Sequence, residues 1–125
     1  MDNQNWYDNL NKSPLNPPSY VFGIVWPLLY ILMFISFGIV IYNNRTDKIR
    51  FFIIQFILNL LWTTIFFKYK SIVLAFIMLI LIIFFTILTI IDFYSVNNIS
   101  ALLLIPYILW LSFASYLNLY IIIYN

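Results

Sequence analysis

The sequence predicts an all-α integral membrane protein built as a bundle of four transmembrane helices. Of its 125 residues, 65% are hydrophobic and only 8% are charged, whereas a soluble domain of this size carries about 25% charged residues. Four apolar runs follow one another, each long enough to form the ~20-residue helix that crosses a bilayer. The breaks between them are short, which favours antiparallel neighbours. We interpret residues 1–125 as a single transmembrane domain.

The predicted spans cover residues 19–42, 49–67, 71–91 and 101–123. The first follows Pro17 and Pro18, and proline is tolerated at a helix start because its missing N–H would have no partner there. The third span is apolar on every side, which is typical of a lipid-facing helix. The segment DFYSVNNIS is predicted to be the loop that follows it. The polar N-terminal stretch has no basic segment running into a short apolar core, so no cleavable signal peptide is predicted.

Composition excludes several functional classes. The chain has no cysteine and no histidine, which excludes disulfides, thiolate catalysis, the usual zinc sites and haem held by a His or Cys ligand. A net charge of +2 is too small for nucleic-acid binding as the main role. The charged residues all lie outside the spans or at their ends, whereas ion pathways and general acid–base catalysis need ionisable groups inside them. No metal and no required cofactor are therefore expected.

The second span carries polar and aromatic residues on one face. Gln55, Asn59, Trp62 and Phe66 are spaced by four, three and four residues, which places them on the same side of a helix. Asn59 falls near the middle of the bilayer, where its amide needs hydrogen-bond partners. Two interpretations stay open for Asn59, bonding between helices and a cavity role. Trp62 lies nearer the helix end and suits an interfacial belt as well as a pocket.

The fourth span repeats this pattern. Pro106, Trp110, Ala114 (or Phe113) and Leu117 share a face, with Asn118 beside them. A proline in the middle of the span is expected to kink the helix, and such irregularity is tolerated beside a protected cavity. Trp110 lies too deep for the interfacial belt, and the small Ala114 leaves room for a flat molecule. Plain packing remains the alternative.

The first span has an aromatic stripe at helical spacing, for which core packing is the usual explanation. Its members are Phe22, Trp26, Tyr30, Met33 and Phe37. Three spans thus present aromatic faces with one central amide and no ionisable group. An apolar, aromatic-lined pocket with few polar groups suits a flat hydrophobic ligand, so binding is favoured over catalysis.

Three sequence motifs resemble the TspO/MBR family of tryptophan-rich sensory proteins and translocator proteins. They are NWYDNLNKSPLNPPSYVFGIVWPLLYILM, QFILNLLWTTIFF and ALLLIPYILWLSFASYLN. The first shares W-Y, P-P, V-F and V-W with the family, the second Q-x-x-x-N-x-x-W, and the third P-Y-x-x-W and F-A. In this order they cover nearly the whole chain.

The resemblance implies a helical bundle whose ligand pocket opens toward the N-terminal loop and takes porphyrins, haem included, or benzodiazepine-type drugs. It also implies a homodimer. The positions that match the family's pocket are Phe22, Trp26, Tyr30, Asn59, Trp62, Trp110, Ala114 and Leu117. We therefore expect a membrane receptor or carrier for tetrapyrroles or similar flat hydrophobic molecules. The alternatives are an enzyme that degrades porphyrin in light through its tryptophans, and a structural membrane protein without ligand.

The sequence departs from the family pattern at several points. The family bundle has five helices, and the helix that precedes the W-Y motif is absent from this sequence. The loop motif K-P-x-W-x-P-P appears as KSPLNPP, so its tryptophan is missing. Met78 occupies the place of an aspartate on the penultimate helix, which removes one polar contact. Tyr120 and Tyr124 are followed by no basic residue, so the sterol-recognition pattern is incomplete.

Overall fold

A computed structural model of the protein describes Pro14, residues 19–67 and residues 72–124. The regular structure of these ranges is helical, which confirms the predicted all-α class. The helices are α1 (Ser19–Tyr42), α2 (Arg50–Phe67), α3 (Ile72–Tyr94), the short α4 (Asn98–Leu102) and α5 (Ile105–Tyr124), with one 3₁₀ turn at Thr46–Lys48. Predictions that concern residues 1–13, 15–18 and 68–71, including the W-Y and P-P motifs, lie outside the described residues.

Three stretches are long and apolar enough to cross a membrane, namely Tyr20–Tyr42, Ile72–Tyr94 and Asn98–Tyr124. The second predicted span contributes the shorter apolar stretch Arg50–Trp62 within the described residues. A helix rises about 1.5 Å per residue, so the 23 residues of Ile72–Tyr94 extend about 35 Å, against a hydrocarbon core of about 30 Å.

Helix α3 has one buried face and a broad exposed apolar face, so it faces outward as predicted and also packs on three other helices. It packs against α2, α4 and α5, whereas α1 packs against α4 and α5. The buried face of α3 carries Ala75, Met78, Leu79, Ile82, Thr86, Thr89, Asp92 and Phe93. Thr86, Thr89 and Asp92, spaced by three residues, mark this buried face in the sequence, and they were not singled out as such from the sequence.

Helix α1 ends in a left-handed cap. Asn44 has φ 58°, a conformation that asparagine tolerates better than most residues. The N–H of Arg45 donates to the carbonyl of Val40 at 3.2 Å, and the N–H of Asn44 donates to that of Ile41 at 2.9 Å. These two bonds are the Schellman pattern, which satisfies carbonyls that the helix end leaves open. The chain then turns through Thr46–Lys48 into α2.

The segment between α3 and α5 differs from the prediction in two respects. Helix α3 continues to Tyr94, and α4 forms where a loop was predicted. The side chain of Asn97 caps α4 by accepting from the N–H groups of Ile99 and Ser100, as N-cap asparagines do.

Pro106 does not lie in the middle of a helix, as the sequence had led us to expect. The helical path breaks at Leu103 and Leu104, and Pro106 is the second residue of α5. Proline has no N–H to donate and its ring clashes with the carbonyl four residues earlier. In the first turn of a new helix that missing N–H leaves no bond unmade. The chain therefore restarts its helix at the proline instead of kinking there.

Two polar contacts fix the end of the bundle where α3 ends and α4 begins. The hydroxyls of Ser36 in α1 and Ser100 in α4 each donate to the other residue's carbonyl, at 2.6 and 2.8 Å, and both residues are fully buried. The carboxylate of Asp92 lies 3.3 Å from Arg50 Nε and 4.0 Å from Lys48 Nζ. The acid is thus at the end of its helix, as expected, and pairs with two bases of the α1–α2 connection.

Candidate ligand-binding site

Three tryptophans from three helices meet in the half of the bundle where α1 begins and α2 ends. The ring of Trp26 (α1) lies 6.0 Å from that of Trp62 (α2) and 6.4 Å from that of Trp110 (α5), measured between centroids. Phe22 places its ring 5.5 Å from Trp110 in an edge-to-face arrangement. We call these four residues the aromatic cluster. Their spacing of four residues along α1 brings Phe22 and Trp26 to the same face.

The other predicted site residues lie around this cluster. Tyr30 follows Trp26 by one helical turn, and the two rings are 6.1 Å apart. Ala114 is partly buried and packs against the hydrophobic core. Leu117 is buried, with 5% of its surface exposed. The side chain of Phe66 lies outside the described residues.

A chain of hydrogen bonds runs from Tyr30 into the core, one helical turn deeper than Trp26. The hydroxyl of Tyr30 donates to Asn59 Oδ1. Asn59 Nδ2 donates to the hydroxyl of Tyr107 at 2.8 Å, and that hydroxyl donates to Gln55 Oε1 at 2.7 Å. Gln55 Nε2 ends the chain at the sulfur of Met33, 3.6 Å away. We call these five residues the polar network.

The donor and acceptor of every hydrogen bond in the polar network can be assigned by starting from Met33, the innermost residue. A thioether sulfur can only accept, so Gln55 must turn its amide nitrogen toward Met33 and its oxygen toward Tyr107. Tyr107 has a single hydroxyl proton, which it donates to Gln55, so Asn59 must donate to the Tyr107 oxygen. The carbonyl of Asn59 then faces Tyr30, which donates to it. The four inner residues are almost fully buried, with exposures of 1% for Met33, Gln55 and Tyr107 and 2% for Asn59.

The sequence left open whether Asn59 bonds between helices or serves a cavity. The structure shows bonds between helices, and the cavity role stays a prediction. Asn59 links α1 to α5 through Tyr30 and Tyr107. Tyr107 itself was not singled out as a site residue, although it stands in the P-Y-x-x-W motif. Its position three residues before Trp110 puts it on a neighbouring part of the same helix face, which is the signal that would have found it.

The site is thus layered, with hydrocarbon rings at one end and amide and hydroxyl groups behind them. The described residues contain no group of three His, Cys, Asp or Glu side chains that could hold a metal ion. The polar groups of the network are neutral, so the arrangement offers stacking surface and hydrogen bonds. Such a site is suited to a flat, largely apolar molecule.

Helices α1 and α2 meet through side chains rather than by close backbone approach. Rings fill the space between them, with Tyr30 and Phe34 packing on Phe56 at 6.2 and 5.5 Å, and Phe37 stacking on Phe52 at 4.9 Å. We call this line of contacts the α1–α2 seam. Side chains can change rotamer without unfolding a helix, so the seam can open at lower cost than an interface of tightly packed backbones.

Comparison with known proteins gives the same assignment over nearly the whole chain. The model of the TspO/MBR family matches residues 1–124. The tryptophan-rich protein TspO of Chlorobaculum tepidum is 36% identical over 96% of this chain and 79% of its own length. The protein of the same name from Bacillus cereus is 38% identical over 90% of this chain and 76% of its own.

A human relative is also found. The translocator protein of Homo sapiens is 33% identical over 90% of this chain and 70% of its own length. With three helices long and apolar enough to cross a membrane, these matches make the chain a multi-pass integral membrane protein.

Proposed function

Because the chain belongs to the TspO/MBR family, we propose that it is a membrane receptor or carrier for porphyrins or similar flat hydrophobic molecules. The observation that carries the proposal is the convergence of Trp26, Trp62 and Trp110 from three helices, directly beside the polar network. Stacking on a flat ligand adds about 0.5–1.5 kcal/mol per good aromatic contact beyond burial. Several such contacts together with burial are sufficient for micromolar affinity, which corresponds to about 8 kcal/mol.

In this proposal the eight predicted site residues have three roles. The rings of the aromatic cluster stack on the ligand. Beside its inner edge, the Tyr30 oxygen can still accept a hydrogen bond and the second Nδ2–H of Asn59 can still donate one. Ala114 and Leu117 provide an apolar border, where the small alanine leaves space. Haem has the same shape and is a further candidate ligand, bound through its ring without a His or Cys axial ligand, since the chain has neither residue.

Titration of protoporphyrin IX into the purified protein in detergent tests the proposal. The shift of the porphyrin Soret band is the readout, because it does not depend on how many tryptophans a variant retains. We expect saturable binding that weakens at least about tenfold in the Trp26→Ala, Trp110→Ala double variant, since two stacking contacts are lost. Phe84→Ala is the matched control, because Phe84 on α3 is 54% exposed and lies outside the cluster. Equal affinity in the double variant and the control would remove the cluster from this role.

A second candidate function is light-driven oxidative degradation of the bound porphyrin, with dissolved dioxygen as the oxidant. The specific observation in its favour is the contact of Trp26 with both other indoles at 6.0 and 6.4 Å, since neighbouring indoles can share in electron transfer with an excited ligand. Illumination of the complex, followed by a search for ring-opened products, separates the two functions. Loss of porphyrin absorbance only in protein with intact tryptophans supports the enzyme, whereas stable absorbance leaves the receptor. Absence of any saturable binding leaves only a structural role.

A homodimer belongs to the same proposal, because the family resemblance implies one. The helices present many exposed apolar side chains, which either acyl chains or a second copy can cover. Light scattering with correction for bound detergent decides between one and two protomers of 15.0 kDa.

A further inference from the structure

The indole nitrogen of Trp110 is a buried hydrogen-bond donor with no acceptor. Its accessible area is below 1 Å², and no partner for it exists in the described part of the chain. An indole nitrogen can only donate, and leaving a buried donor without an acceptor destabilises a protein. Most buried polar groups have partners, so an exception calls for an explanation.

The aromatic rings that contact Trp110 supply no hydrogen-bond acceptor for its indole nitrogen. The rings nearest to it are those of Phe22 at 5.5 Å, Phe113 at 5.7 Å and Trp26 at 6.4 Å. None of these rings carries an oxygen. The oxygens of the polar network are engaged elsewhere, because Asn59 Oδ1 accepts from Tyr30 and Gln55 Oε1 accepts from Tyr107. Both amide oxygens are directed at tyrosine hydroxyls of the network, and neither makes a hydrogen bond with Trp110 Nε1.

We propose that Trp110 Nε1 is the donor that the site reserves for its ligand, and that the ligand therefore carries a carbonyl or carboxylate oxygen at the edge of a flat apolar ring. This inference rests on the proposed function and adds to it the polar chemistry of the ligand. The stacking surface favours ligands with a flat ring. The Trp110 N–H then favours, among ligands of equal ring size, those that carry an acceptor oxygen at the edge of the ring. A ligand with the oxygen gains a bond that the empty protein lacks.

Three porphyrins separate the two contributions. Protoporphyrin IX carries two carboxylates, its dimethyl ester carries two ester carbonyls, and octaethylporphyrin carries alkyl groups only. Each is titrated in detergent by its Soret shift into the wild type and into protein in which 3-benzothienylalanine replaces Trp110. That residue keeps the bicyclic ring and has sulfur in place of the N–H. The same replacement at Trp26 is the matched control, because it removes an N–H from the same cluster.

The measured quantity is the ratio of each oxygen-bearing porphyrin's affinity to that of octaethylporphyrin. At position 110 we expect the replacement to lower this ratio about 2- to 10-fold for the ester and about 10- to 100-fold for the carboxylate, as for neutral and charged hydrogen bonds. At position 26, whose N–H is not among the buried donors without a partner, any change in stacking should affect the three porphyrins alike and leave the ratios unchanged. A loss confined to protoporphyrin IX identifies a carboxylate ligand, and a loss for both identifies the oxygen alone as sufficient.

Two results would overturn the inference. Unchanged ratios at position 110 would mean that the N–H only packs against a neighbouring ring, and equal changes at positions 110 and 26 would mean that the effect belongs to the cluster as a whole. Both outcomes leave the proposed function intact, because the wild type still binds. If none of the three porphyrins binds the wild type in a saturable way, it is the proposed function that fails.

Discussion

Removal of the Tyr107 hydroxyl is the sharpest test of the polar network. In Tyr107→Phe the ring stays in place, while Asn59 Nδ2 loses an acceptor at 2.8 Å and Gln55 Oε1 loses a donor at 2.7 Å. Both atoms belong to residues that are at most 2% exposed, so water cannot easily replace the hydroxyl. Two bonds are lost and no steric change accompanies the loss.

The expected magnitude follows from these two bonds. Hydrogen bonds between membrane helices contribute about 0.6 kcal/mol on average and about 1.7 kcal/mol at most. Two of them give about 1–3 kcal/mol of lost unfolding free energy. The assay is reversible unfolding in mixed detergent micelles, followed by helical circular dichroism. Tyr42→Phe is the control, because Tyr42 is 87% exposed and surface substitutions change stability by less than about 0.5 kcal/mol.

A double-mutant cycle with Gln55→Leu adds a second measurement. If Tyr107 and Gln55 act through their mutual bond, the combined loss should be smaller than the sum of the two single losses by about 0.5 kcal/mol or more. The reasoning is refuted if Tyr107→Phe costs no more than Tyr42→Phe, or if the two substitutions add without coupling.

Three further predictions concern the ends of the bundle and helix α1. Asp92→Asn should lower the unfolding free energy by about 1 kcal/mol or less, because its partner Arg50 is 62% exposed. A loss as large in 1 M salt as in low salt would show that the ion pair is not the cause. The side-chain hydrogen bond from Arg45 lowers the pKa of Asp47. The stabilisation from this bond is therefore present above the unfolded pKa and is lost as the pH falls through the lower folded pKa. Asp47→Asn should remove this part of the acid dependence of thermal unfolding, and an unchanged acid profile would contradict the prediction. Gly38→Ala should raise the unfolding free energy by about 0.5–1 kcal/mol, because a Cβ at this position meets nothing within 4 Å. A loss of stability would show that another surface covers this position.

The sequence predicted the features that the bilayer and helical periodicity determine within a single segment. Helix α1 covers Ser19–Tyr42, because a run of apolar residues in lipid must satisfy its backbone internally and a helix is the way to do so. The shared face of Gln55, Asn59 and Trp62 was likewise readable, since it depends only on helical periodicity. These features depend on one segment at a time.

What the sequence could not predict depends on pairs of segments. The partner of Asn59 is decided by how far α5 rotates toward α2, and no pattern within α5 encodes that angle. The buried face of α3 is marked by Thr86, Thr89 and Asp92, but which helices cover that face depends again on the other segments. At Pro106 the choice between a kink and a restarted helix depends on α4, which is held in place by the bond between Ser100 and Ser36. Such a contact joins residues 64 positions apart.

The packing of the aromatic cluster also predicts how a ligand enters. Carbon atoms in contact are about 3.5–4.0 Å apart, so a flat ring held between two others needs about 7–8 Å between them. Trp26 and Trp62 are only 6.0 Å apart, and the cluster must therefore open, which the side-chain contacts of the α1–α2 seam allow. We expect the observed association rate of protoporphyrin IX in stopped-flow experiments to level off at high concentration, because opening then limits it. A rate that rises linearly over the whole accessible range would mean that the cluster receives the ligand at its surface without opening.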